Sequence, residues 1–113
     1  MLLVDCHTHL DQYPEEEIFP ILQRASDANV SLIVSAGSNL ASSNRSVTLS
    51  MKHKNVYAGV GIHPTELEGP ISKTTYNGLQ NLITTTKKVV CISEIGLDFL
   101  PTSPDRDIQF QAL

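Results

Sequence analysis

No run of apolar residues in the sequence approaches the length of a membrane span. MLLV at the start is too short, and too soon followed by Asp5, to be the apolar region of a signal peptide. A cytoplasmic location is expected, with the nucleus as the eukaryotic alternative. Basic residues are few: eight Lys and Arg against twelve Asp and Glu leave a net charge of -4. That balance excludes a protein that coats nucleic acid by neutralising phosphates. It does not exclude an enzyme that grips phosphate through bound cations, whose charge no residue count includes. Only two cysteines are present, Cys6 and Cys91, far from any C-x-x-C spacing. They are expected as reduced, buried thiols without a catalytic role. Low-complexity linkers are absent as well, so residues 1–113 are expected to form a single domain.

What is present is concentrated in short places. VDCHTHL, residues 4 to 10, spends two of the four histidines one residue apart, directly after an apolar start. Around it the chain alternates two kinds of segment. LLVDC (2–6), VSLIVSA (30–36), NVYAGVGI (55–62) and KVVCISEI (88–95) read as strands. Between them Ile18 to Asn29 has apolar residues at helical spacing, with Pro20 in its first turn and Asn29 as its cap. Ala41 to Lys54 is a more polar helix for which Leu40, Val47 and Met51 are expected to face inward. Ser72 to Lys87 is a third, buried through Leu79, Leu82 and Ile83, and a fourth opens at Ser103 as N-cap with Pro104 in first position.

Strands recurring roughly every 25 to 35 residues between helices are the rhythm of βαβ units, so the class is α/β and the sheet is expected to be parallel. Two architectures fit: the first four units of a (β/α)8 barrel, whose full length is about 250 residues, or an open doubly wound sheet.

Every chemically interesting residue falls at the C-terminal end of a predicted strand. Asp5, His7 and His9 end the first, His63 follows the third in GVGIHP, and Glu94 and Asp98 follow the fourth in SEIGLDF. Both architectures place their sites on that edge. The two-residue period of a strand puts Asp5, His7 and His9 on one face, so that both imidazoles can reach one cation. The same period sets Glu94 on a face with Val90 and Ile92, where a buried carboxylate needs a partner such as a metal. Taken singly, each residue has a structural reading: satisfied strand-end histidines, a salt-bridging Glu94, and turn residues at His63 and Asp98. Their joint occurrence at three strand ends favours a metal site.

VDCHTHL, GVGIHP and SEIGLDF, in this order and at these separations, resemble the three N-terminal signature blocks of the TatD-like metal-dependent deoxyribonucleases, a branch of the amidohydrolase-type barrel hydrolases. The resemblance covers nearly the whole chain, including the final RDIQFQAL. It implies a TIM-barrel (β/α)8 fold, of which this chain supplies about the first four units, with a two-metal site hydrolysing phosphodiester bonds in DNA. By position, it implies that His7 and His9 bind the first metal and that Glu94 bridges both. Asp98 then orients ligands or water as a catalytic partner of Glu94, while His63 and Asp5 lie in the second shell or touch substrate. Zn, Mg, Mn and Co are the cations considered, with the imidazole and carboxylate donors leaning away from Mg. The family's pattern continues with two more histidines and an aspartate on later strands, none of which lies within these 113 residues, and His53 is expected as a solvated helix residue. Ser93, where glycine is commoner, and Cys6, where threonine is usual, are the departures inside the blocks.

Two other readings stand beside this one: hydrolysis of a small amide, lactone or ester by the same kind of site, and a catalytically dead half-barrel binding module. A half barrel is also expected to self-associate through its two open edges and its uncovered interior face, for which Val4, Val34, Val60 and Ile92 are the expected lining.

Overall fold

Strands β1 (Leu3–Thr8), β2 (Val30–Ala36), β3 (Val56–Val60) and β4 (Val89–Ile92) lie side by side in chain order, every neighbouring pair parallel, in a computed structural model that describes residues 1–113. That order separates the two architectures. A doubly wound sheet reverses direction at a switch point, whereas a barrel adds each strand beside the last. Helices α1 (Glu15–Asp27), α2 (Leu40–Lys52), α3 (Lys73–Thr85) and α4 (Arg106–Ala112) complete four βα units, and the chain forms the first part of a (β/α)8 barrel. No helix is long and apolar enough to cross a membrane.

Two apolar clusters tie the outer face of the sheet to the helices. Leu10, Ile18, Leu22, Ile33, Leu49 and Val56 form one, and Val47, Ala58, Val60 and Leu82 the other. Val60, expected on the barrel interior, is therefore on the helix side and only 1% exposed. The register pairs Val60 with Ile92, which puts Ile92 on that outer side too, although it remains half exposed. The interior face carries Val4, Leu32, Val34, Ala36 and Gly59, as the pairs Val4↔Leu32 and Ala36↔Gly59 require. No opposite wall covers it. Cys91, paired with Gly59, lies on this open face, and both cysteines are exposed rather than buried. Partial burial, with Cys6 adding to it, still pushes the Cys91 thiol up, which keeps it protonated and inert.

Helix boundaries depart from expectation for local reasons. α1 starts at Glu15 rather than Ile18 because its first turn is acidic, Glu15 to Glu17, which suits the dipole but carries no apolar signal. Pro20 consequently sits inside the helix, and Asn29 adopts φ 65° just past the Ala28 cap. α2 is capped by a reciprocal pair, Asn39 and Ser42. Its buried residues are Ser43, Ser46, Val47, Leu49 and Ser50, with Leu40 packed against the second cluster as expected, while Met51 points to solvent. In α3, Leu82 is buried while Ile83 is exposed. α4 begins two residues late, with Asp105 as its cap, because the Ser103 hydroxyl is engaged by Asp98.

The open wall shows in the dimensions. A folded chain of 12.4 kDa exposes about 6100 Å², and this one exposes 7068 Å². Its radius of gyration is 14.9 Å, against about 13.3 Å expected for its length.

Candidate metal centre

The end of β1 is fixed by the Thr8 hydroxyl, which donates to the Val34 carbonyl at 3.0 Å. His7 and His9 flank it, their rings 5.2 Å apart and nearly perpendicular. The His9 Nδ1 lies 3.0 Å from the Ala36 carbonyl oxygen, which can only accept, so Nδ1 carries the proton and Nε2 offers a lone pair. That Nε2 lies 3.6 Å from Glu94 Oε1, and His7 Nε2 lies 2.7 Å from the same oxygen. The three donor atoms fall within 4.8 Å of one another, the one such group of three in the structure.

Glu94 reaches the histidines across the concavity of the sheet. β4 ends at Ile92, so Glu94 lies beyond the strand and does not continue the face of Val90 and Ile92 as the periodicity predicts. Backbone contacts hold it instead: Ser93 N–H donates to Val60 O at 2.9 Å and Glu94 N–H to Gly37 O at 3.0 Å. A Cβ on Gly61 would stand 2.8 Å from Ser93 C and 2.9 Å from Glu94 O, so only glycine permits this approach. Ser43 on α2, fully buried, clamps Gly61 from behind, with its hydroxyl 3.2 Å from the Gly61 N–H and 3.3 Å from the carbonyl.

Other expected residues stand outside the group. Asp5 is exposed, and its carboxylate accepts only the His7 N–H, at 3.4 Å. β1 takes three residues from Asp5 to Thr8 while β2 takes two from Ile33 to Ser35, and this irregularity breaks the alternation that put Asp5 beside the histidines. His63 caps a short 3-10 turn, Pro64–Glu66, and its Nδ1 accepts the Thr65 N–H at 3.2 Å, which leaves the proton on Nε2. Asp98 belongs to the loop before α4. The Ser103 hydroxyl and the Leu100 N–H hold its carboxyl below the ordinary 3.8, with His63 adding to the effect. Its backbone is held on both sides by the buried Gln109 amide, at 2.7 and 2.9 Å. His53, expected in solvent, is a half-buried cap of α2 at the far end of β3, away from the site.

Three residues at or near the site escape a reading of the sequence. Ser43 and Gln109 act through backbone groups of distant segments, which no local pattern reveals. Asp11 follows the histidines at an unremarkable spacing, yet its side chain is only 6% exposed and one of its oxygens lies 4.0 Å from His9 Nδ1.

Two imidazoles and a carboxylate converging on one point suit zinc and related divalent ions, and the donors present fit such an ion. A family model described as "TatD related DNase" matches residues 4–113. The sequence is 32% identical over 109 residues to the "Uncharacterized metal-dependent hydrolase YjjV" of Escherichia coli, an alignment covering 94% of this chain and 41% of that protein. The crystal structure of YjjV, described as a TatD homolog, superposes with a TM-score of 0.78 over 96% of this chain and 40% of its own. A hydrolase TatD family protein from Entamoeba histolytica, 26% identical, superposes with a TM-score of 0.81 over 99% of this chain and 43% of its own. The chain therefore spans about two-fifths of the length of the relatives it matches.

Proposed function

This chain belongs to the TatD-related DNase family of metal-dependent hydrolases, and from that premise we propose that His7, His9 and Glu94 form the first-metal part of a two-metal site that hydrolyses DNA phosphodiester bonds. The observation that carries the proposal is the convergence of both imidazole Nε2 atoms on one Glu94 oxygen. A divalent ion held there would supply the charge that lowers the pKa of a bound water toward neutrality and attracts phosphoryl oxygens. The chain's own residues do the rest. His9 is fixed in the tautomer that presents Nε2, and Glu94, as a carboxylate with two oxygens, would be able to hold a neighbouring cation as well. Asp98 stays ionised on its loop to orient a ligand or water. His63, with its proton on Nε2, is a hydrogen-bond donor for a phosphate oxygen, the opposite tautomer from His9 and suited to the opposite task.

The test uses the 113-residue chain. It should take up one Mn2+ or Zn2+ and then bind a fluorescein-labelled oligodeoxynucleotide in fluorescence anisotropy, with EDTA abolishing the binding. Glu94→Gln, which removes charge at constant volume, should weaken metal uptake by about 10- to 100-fold or more, since even residues one shell further out are worth that much. With the later histidines of the family pattern absent, the chain alone should leave a DNA duplex uncut. Oligonucleotide binding that ignores both EDTA and Glu94→Gln would overturn the proposal.

We also propose that the chain, made alone, associates through its open face. The surface in excess of a closed fold, about 900 Å², is close to the roughly 800 Å² that each partner gives to a standard interface. On that face Val4 is more than half exposed and Leu32 and Cys91 are also exposed, and both β1 and β4 leave an edge unpaired. Light scattering after size exclusion should give a mass of at least two chains, and a stable monomer at micromolar concentration would remove this proposal.

A further inference from the structure

Asp11 presents an unusual combination: a carboxylate oxygen that is fully buried and has no hydrogen-bond partner, on a side chain in contact with a member of the metal centre. It lies in the 3-10 turn Leu10–Gln12 that follows His9, a turn that packs against α2. A buried charge without a partner is costly, so its position needs a reason. The nearest candidate for pairing, Arg45 on α2, does not take it. The Arg45 Nη2 donates instead to the Tyr13 carbonyl at 2.7 Å, and its Nε is likewise buried and unpartnered. The negative charge of Asp11 is thus left free of a direct ion pair, 4.0 Å from His9 Nδ1.

We infer that Asp11 is a positioning residue for the metal centre, whose buried charge holds the His9 proton on Nδ1 and so keeps Nε2 turned to the cation. This rests on the metal-site reading above. The His9 Nδ1 faces two oxygens, Ala36 O at 3.0 Å and Asp11 Oδ1 at 4.0 Å, and no donor is among its partners. A lone pair on Nδ1 would meet both as repulsion, whereas an N–H meets both as attraction. A carboxylate behind a metal-binding histidine fixes the tautomer and enriches the ring as a donor. A divalent ion bound beyond His9 would supply the buried Asp11 carboxylate with a countercharge.

Three forms of the chain test this by Zn2+ titration calorimetry and by ring 15N chemical shifts of His9: the parent, Asp11→Asn and Arg45→Met. Asp11→Asn should bind Zn2+ about tenfold more weakly and lose the preference for the Nδ1–H tautomer. Arg45→Met keeps the aliphatic stem but removes the cation that offsets Asp11, and should bind more tightly than the parent. Unchanged affinity and tautomer in Asp11→Asn would overturn the inference, as would weakened binding in Arg45→Met. A residue that merely supported the fold would move both variants the same way. If Asp11→Asn does not fold, Arg45→Met decides by its direction. If the parent binds no metal, the metal-site reading fails on its own, and the His9 shifts of parent and Asp11→Asn still judge the role of Asp11.

Discussion

Alanine at both His7 and His9 leaves the chain folded and nearly without affinity for Zn2+ or Mn2+. The fold survives because both rings are partly exposed and β1 is held by its ladder and by the Thr8 hydroxyl. Two polar contacts are lost to the fold, His9 to Ala36 O and the partly exposed His7 to Glu94, each worth about 1 kcal/mol net. The metal affinity does not survive, because Glu94 alone remains of the three converging donors. Substitution one shell away from an ion costs about 10- to 100-fold, and losing two direct ligands costs more than either. Calorimetric titration beside far-UV circular dichroism measures both halves of the result. Affinity within a few-fold of the parent, with the fold intact, would mean that the cation sits elsewhere.

Gly37→Ala is the substitution with the largest expected effect on stability. An added Cβ would stand 2.4 Å from Ser43 Cα and 2.5 Å from both its N and its Oγ. These are mostly backbone atoms, so no rotamer relieves the clash and α2 itself must move away. α2 contributes Val47 and Leu49 to the two apolar clusters, and Gly37 also ties β2 to Gly59 O and Glu94 N–H. The cost should exceed the roughly 1–3 kcal/mol of ordinary overpacking, a large part of the about 5–15 kcal/mol that holds a domain together. A fall in the melting midpoint of more than about 10 °C is expected, at 4–8 °C per kcal/mol for a domain of this size. Gly69→Ala is the control, since nothing lies within 4 Å of its added Cβ. A Gly37→Ala midpoint matching that control would show that α2 does not dock this closely.

The strands and their parallel pairing were legible because buried strands leave continuous apolar runs, and the site because strand ends of such sheets collect polar residues. The inward face of α2 was legible only in part. A hydrophobic pattern selects Leu40, Val47 and Met51; Leu40 and Val47 do pack inward, but Met51 points to solvent, and Leu49 with the small polar Ser43, Ser46 and Ser50 makes up the rest of the buried face. Asp5 was misplaced because one extra residue in β1 changes which side a chain position faces, and no residue type announces it. The exposure of Cys6 and Cys91 depends on whether a second wall covers the sheet, a property of the assembly rather than of their neighbours in sequence. Gln109 and Asp11 belong to the same class: their roles exist only once distant backbone is in place.

The serine layer beneath α2 has a thermal consequence. Ser35 and Ser46 pair their hydroxyls at 3.0 Å, and the Ser50 hydroxyl donates to Val47 O at 2.7 Å, all without access to water. Melting this layer hydrates polar groups, which lowers the heat capacity of unfolding by about 0.26 cal/K/mol per Å², where apolar exposure raises it by about 0.45. Only 21 of 113 residues are buried, so the heat-capacity increment falls below the usual 12–15 cal/mol/K per residue, roughly. A small increment flattens the curve of stability against temperature. The chain should therefore resist cold denaturation better than a fold of the same size with a fully apolar core, while its stability at the maximum of that curve stays low.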